Sequence, residues 1–189
     1  MTAALTLLDA SAAADAALAQ VGGKAQQLGW LVRYGLPVPD FFVIPSAWSA
    51  ARAAGVSVEL RGLLQAELAR RGWLDQPLAV RSSAVGEDAG AASVAGMYRS
   101  CLNVSGVDAL CTAVAEVWAS LDTPAAQAYR AKLGVDAAPA MAVVVMPLLP
   151  AVAAGIAFTC EPLSGREDRI VVHANWGLGE SLVGGEAAG

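Results

Sequence analysis

The order of its apolar runs constrains this chain more than any other feature. Three stretches rich in β-branched and other apolar residues, Met141 to Leu149, Gly155 to Thr159 and Arg169 to Ala174, follow one another late in the sequence. Earlier, helical and strand patterns alternate. Helices early and consecutive strands late predict an α+β fold with two subdomains rather than a doubly wound parallel sheet, and the late runs read as a sheet with at least one buried face.

The earlier part divides as follows. Gly23 to Tyr34 reads as a helix with Leu28, Leu31 and Val32 near one face, ended by Gly35-Leu36-Pro37. Phe41 to Ile44 is a short buried strand; Ser46 is placed to cap a helix over SAWSAARAA. Val58 to Arg71 is amphipathic, with Leu60, Leu63, Leu64 and Leu68 inward. Leu78 to Ser82 and Ser100 to Val104 are strands, Val107 to Ser120 and Pro124 to Leu133 helices. Gly134 to Pro139 is the best internal boundary, which gives subdomains 1–135 and 136–189.

Composition removes several classes of function. With 189 residues, 56% of them hydrophobic, the chain can bury one substantial core or two small ones. No apolar run reaches the roughly 18 residues of a membrane span. No basic residue precedes Lys24, so the positive region of a secretory signal is missing and a cytoplasmic location is expected. Cys101, Cys111 and Cys160 are odd in number and widely spaced, which fits buried reduced thiols better than a disulfide framework or a zinc site. Twelve basic and 17 acidic residues leave a net charge of −5, and nucleic acid is not an expected partner.

Two basic residues stand in settings suited to an anion. LAVRSSAVGEDAGAASVAGMY, residues 78–98, delivers Arg81 from a strand into Ser82-Ser83 and then a long small-residue loop. Small side chains and free backbone N–H groups around a fixed positive charge can cradle phosphate; an ordinary surface ion pair beside a connecting loop is the other reading of Arg81. Gly22-Gly23-Lys24 opens a helix, where the dipole favours an anion beside the ammonium. It lacks P-loop spacing, and nothing matches the dinucleotide fingerprint, so capping glycines with a solvated Lys remain an alternative. Glu87-Asp88 reads as a solvated acidic pair.

In this order, VGGKAQQLGWLVRYGLPVPDFFVI, LAVRSSAVGEDAGAASVAGMYRSCLNV, MAVVVMPLLPAVAAGIAFTCEPLSG and WGLGESLVGG resemble the nucleotide-binding domain of phosphoenolpyruvate synthases, pyruvate phosphate dikinases and rifampicin phosphotransferases. The resemblance runs from Val21 to Gly185. It implies an ATP-grasp-like fold of two α+β subdomains holding ATP, incomplete here at the C-terminal end. It also implies transfer of the β-phosphate to a histidine on a separate swivelling domain and on to an acceptor, with AMP and phosphate as the other products. Lys24 and Arg81 match the family's two basic contacts to the phosphates and are the expected catalytic residues. Gly96 matches a glycine of the nucleotide-covering loop, and residues 89–96 the lid. Ser100 stands where the family usually has threonine, and Glu180 matches a glutamate near the nucleotide.

This sequence also departs from the family pattern. Met146 replaces a glutamine that contacts the nucleotide; a thioether offers no amide, though it can pack on an adenine face. Met97-Tyr98-Arg99 replaces the usual Gln-Gln-acid triplet. The family's glutamate and glutamine for nucleotide and metal come from a segment beyond the position of Gly189. Magnesium is expected with ATP, yet no ligand for it is identifiable in these residues. His173 lies within a strand of the nucleotide-binding domain itself and reads as a generic polar residue, and Trp176 as packing at a strand end.

The resemblance thus implies the ATP-binding part of a dikinase-type phosphotransferase, inactive as an isolated chain. Its expected partners are separate phosphohistidine and acceptor domains, with self-association through an uncovered apolar face. The alternative is a noncatalytic nucleotide-binding or interaction module of the same descent.

Overall fold

In a computed structural model that describes residues 6–84, 98–132, 140–179 and 182, the strand Met141–Pro147 (β5) is buried from Met141 to Met146 without a break. It lies between Phe42–Ile44 (β2) and Leu78–Ala84 (β3), and both pairings are antiparallel. Leu8–Asp9 (β1) extends the sheet beyond β2, and Ser100–Val104 (β4) extends it beyond β3, giving the order β1-β2-β5-β3-β4. A strand paired on both edges and covered on both faces has no polar side, which is why MAVVVM reads as one apolar run. The chain has an α+β architecture.

The chain separates into two units, Met1–Leu148 and Leu149–Gly189. The sequence reading puts residues 136 onward in the second subdomain, whereas β5 belongs to the first unit because its ladders to β2 and β3 hold it in that sheet. The expected boundary at Gly134 to Pro139 lies outside the described residues.

Helices cover both faces of this sheet. On one face lie Val58–Arg71 (α3) and Gly106–Ala119 (α4), which contribute Leu60, Leu64, Leu68, Leu110, Val114 and Trp118 to a core shared with Leu78, Val80, Val143 and Val145. The helix α3 has the expected bounds. The Ser57 hydroxyl accepts the Leu60 N–H at 3.2 Å, Gly72 closes the helix in the left-handed conformation, and Leu63 is half-buried rather than inward.

On the other face lie Ala10–Asp15 (α1) and Leu18–Arg33 (α2). Here the buried stripe of α2 is Val21, Ala25 and Gly29; of the three residues read as one apolar face, Leu28 packs against this core while Leu31 and Val32 are exposed. Close packing explains the exchange: a Cβ on Gly29 would lie 2.6 Å from the Ala14 backbone nitrogen, so α1 approaches α2 only along its small residues. Neither α1 nor β1 is legible in the Ala-rich N-terminal sequence. Ser46–Ala54 is a 3-10 helix, and the Ser46 hydroxyl does not cap it but donates to the Ala19 carbonyl at 2.7 Å. A second 3-10 turn, Ser120–Asp122, leads into Pro124–Lys132 (α5).

The second unit contains an antiparallel pair, Ala153–Phe158 (β6) and Val171–Trp176 (β7), in register from Ala153 opposite Trp176 to Phe158 opposite Val171. The buried face expected for these strands is missing among the described residues: Val152, Ile170 and Val172 are exposed, and Trp176, expected to pack, is 80% exposed. A two-stranded ribbon needs a further layer to bury a face, and the described part of this unit supplies none. Cys101, Cys111 and Cys160 are free and half-buried rather than fully buried. No described helix is long and apolar enough to cross a membrane.

Candidate functional site

Alternation along β3 decides which side chains share a face. Leu78, Val80 and Ala84 enter the core beneath α3 and α4, whereas Ala79 enters the core beneath α1 and α2. By the two-residue period of a strand, Arg81 and Ser83 therefore project with Ala79 toward α2. Arg81 pairs with Val144 in β5 and Ser100 in β4, and residues directly opposite share a face. Ser100, exposed at the start of β4, thus stands beside Arg81. Met146 is opposite Ala79, on the same face and two positions from Arg81's own partner. Arg99 goes the other way and pairs with Glu116 of α4 at 3.0 Å.

Lys24 reaches this face from α2. The helix is broken at Gly22, with φ +73° and ψ 167°, and resumes at the residues that carry Lys24. From there the Lys24 ammonium donates to the Ser82 carbonyl at 2.7 Å. Lys24 is thus held on the residue next to Arg81. The Arg81 guanidinium is half-buried and forms no hydrogen bond or ion pair with any described residue, so the surface ion pair considered for it is absent among them. A planar guanidinium with five donors and no acceptor, set beside an anchored ammonium, suits an oxyanion.

Ser83 was not singled out by the sequence reading. Its hydroxyl donates to the Val21 carbonyl at 2.7 Å and accepts the Ala25 N–H at 3.0 Å. The available signal was the Ser-Ser doublet on an otherwise apolar strand, since a buried hydroxyl almost always has a partner.

The four described candidates, Lys24, Arg81, Ser100 and Met146, therefore belong to one side of one sheet. Met146 is only 7% exposed and belongs to the apolar cluster with Val21, Ala25, Ala79 and Val144. Gly96 and Glu180 lie outside the described residues, as do the residue 89–96 lid and Glu87-Asp88. His173 is exposed on β7, opposite Ile156. Among the described residues there is no group of three or more His, Cys, Asp or Glu able to hold a metal ion. The donor set described does not fit magnesium by itself.

Comparison with known proteins identifies the family. Residues 54–188 match the family described as pyruvate phosphate dikinase, AMP/ATP-binding domain, and the chain belongs to that family. Among curated relatives, the phosphoenolpyruvate synthase of Aeropyrum pernix is 34% identical, over 88% of this chain and 26% of its own length. The rifampicin phosphotransferase of Streptomyces sviceus is 34% identical, over 95% of this chain and 25% of its own length. A prodigiosin synthesizing transferase of Serratia marcescens is 35% identical, over 88% of this chain and 21% of its own length. The chain spans about a quarter of the length of these relatives. Lys24 precedes the matched family span, so its role rests on the geometry and on the resemblance of its motif.

Proposed function

We propose that this chain is the ATP-binding part of a dikinase-type phosphotransferase with an ATP-grasp-like fold. In this reading it passes the β-phosphate of ATP to a histidine on a separate domain and thence to an acceptor, with AMP and phosphate released. The observation that supports the reading is the Lys24 ammonium of α2 donating to the carbonyl of Ser82, the residue after Arg81 in β3, whose own guanidinium has no partner among the described residues.

In phosphoryl transfer little covalent work falls to the protein, and positioning with charge stabilisation supplies most of the acceleration. Lys24 and Arg81 hold the phosphate oxygens, and Ser100 adds a hydroxyl beside Arg81. The resemblance of the motifs adds Gly96, with the small residues before it, and Glu180 as further contacts to the nucleotide. Magnesium, bound with ATP, would neutralise phosphate charge, and no ligand for it is identified among the described residues. The acceptor is not assigned, since the relatives named above act on different molecules. Titration with ATP, AMP and adenosine, with and without magnesium, tests the reading: affinity should rise with the number of phosphates. Equal affinity for ATP and adenosine would exclude a phosphate site at Lys24 and Arg81.

A further inference from the structure

We propose that Ser83 is a positioning residue for Lys24, a role that rests on the phosphate-site reading above. Its side chain is 1% exposed and is directed at the break in α2. One hydroxyl closes both sides of that break. It donates to the Val21 carbonyl and accepts from the Ala25 N–H, and these two residues flank Gly22, Gly23 and Lys24.

The helix that restarts after Gly22 has amide donors lacking intrahelical acceptors, which a side chain at the cap position usually satisfies. Gly22 has no side chain to offer. Ser83 provides the acceptor from a strand about sixty residues away in sequence. Contact at this point is close: a Cβ on Gly22 would lie 2.1 Å from the Ser83 carbonyl oxygen and 2.6 Å from its hydroxyl, at a positive φ that L-residues rarely adopt. Gly22 and Ser83 therefore interlock.

The consequence is a division of labour along three consecutive residues. Arg81 carries the second cation, the Ser82 carbonyl holds the Lys24 ammonium, and the Ser83 hydroxyl holds the backbone from which Lys24 extends. A lysine is a flexible point charge with about 2 kcal/mol of rotamer entropy, so fixing its origin and its tip before phosphate arrives lowers the ordering cost of binding. An alanine would satisfy the packing of β3. Only a hydroxyl makes both bonds.

A double-mutant cycle on the 189-residue chain separates this role from generic stabilisation. ATP and adenosine affinities are measured by amide-shift titration, which reads millimolar constants, for the parent, Ser83→Ala, Lys24→Ala and the double variant. Ser83→Ala is expected to weaken ATP by about tenfold, the loss of roughly one charge-assisted bond, and to leave adenosine unchanged. In that background Lys24→Ala should cost about tenfold less than it does in the parent chain, because the two residues act as a unit. If Lys24→Ala weakens ATP by the same factor in both backgrounds, Ser83 does not position Lys24. If Lys24→Ala has no effect in the parent chain, it is the phosphate-site reading that fails. A second measurement needs no variant and no nucleotide: in the parent chain the Ala25 amide should be protected from hydrogen exchange to the level of β5. Exchange at Ala25 as fast as at exposed loop amides would overturn the clamp.

Discussion

The Lys24 ammonium sits 2.7 Å from the carbonyl oxygen of Ser82, the residue that follows Arg81 in β3. Two positive groups separated by more than fifty residues in sequence are thereby brought to one edge of one strand. In the reading proposed above, the phosphates of ATP meet both groups there.

Lys24→Ala and Arg81→Ala are each expected to weaken ATP binding by about 1.5–3 kcal/mol, roughly ten- to a hundredfold, through loss of a charge-assisted contact. Adenosine, which lacks phosphates, should bind all three proteins alike. Isothermal titration at one fixed salt concentration reads both quantities. Unchanged ATP affinity in the two variants would remove these residues from the site.

Met146→Gln tests the base end of the same face. Met146 lies in the apolar cluster with Val21, Ala79 and Val144, so a Gln amide there is buried without an assured partner and should cost about 1–3 kcal/mol of stability. If adenine reaches this position it supplies the missing partner, and ATP then raises the melting temperature of the variant more than that of the parent. Equal ATP-induced shifts, measured by thermal unfolding, would mean that position 146 does not face the base.

Much of the first unit was legible because its signals are local and periodic. Leu60, Leu64 and Leu68 recur every four residues, and MAVVVM announces a strand with at least one buried face. Lys24, Arg81, Ser100 and Met146 stood out as motif positions, yet their convergence on one face was not legible, because the β3–β5 and β3–β4 registers are long-range facts. The inner face of α2 was misread because Val21, Ala25 and Gly29 pack by being small, and a search for large side chains finds Leu31 and Val32 instead. Ser83 escaped notice for a related reason. A serine on an apolar strand shows that a partner exists, but the partners, Val21 and Ala25, are named only by the fold.

Acid stability should respond to Glu67, on the opposite side of the sheet from Lys24. Arg70, and then Arg71, hold the Glu67 carboxyl down to about 2. The Arg71 guanidinium also stacks over Trp73, 4.9 Å from its ring centre. A carboxylate depressed in the folded state stabilises fully above its unfolded value of 4.5 and loses that contribution as pH falls toward 2. Glu67→Gln is therefore expected to lose about 1–2 kcal/mol at neutral pH and to show a flatter stability curve below pH 4.5. Denaturant unfolding between pH 7 and pH 2 checks this: curves that stay parallel through the acid range would show that Glu67 gains nothing from the two arginines.

Val172 and Trp176 project from the same face of β7, two turns of the strand alternation apart, and both are exposed. Apolar groups so presented favour self-association of the 189-residue chain. Replacing both by Ser should shift the chain toward monomer in sedimentation velocity, with helical content unchanged. An identical distribution of species before and after the substitutions would place any association elsewhere.

The 189-residue chain is also expected to bind ATP without turning it over. In the proposed reading Lys24 and Arg81 contact the phosphates, but transfer requires an acceptor group in line with the leaving oxygen and neutralisation of the charge that develops there. Among the described residues no cluster of acidic or nitrogen and sulfur ligands holds a metal, and the one histidine, His173, lies on β7 in the other unit. Among the described residues neither requirement is met in the first unit, so binding energy there has no transition state to act on. Incubation with ATP and magnesium, followed by separation of the adenine nucleotides, should show no AMP above that formed by a Lys24→Ala preparation purified in parallel. Sustained AMP formation by the parent chain alone, absent from that control, would show that the residues present suffice for catalysis and that the receiving histidine need not be on a separate domain.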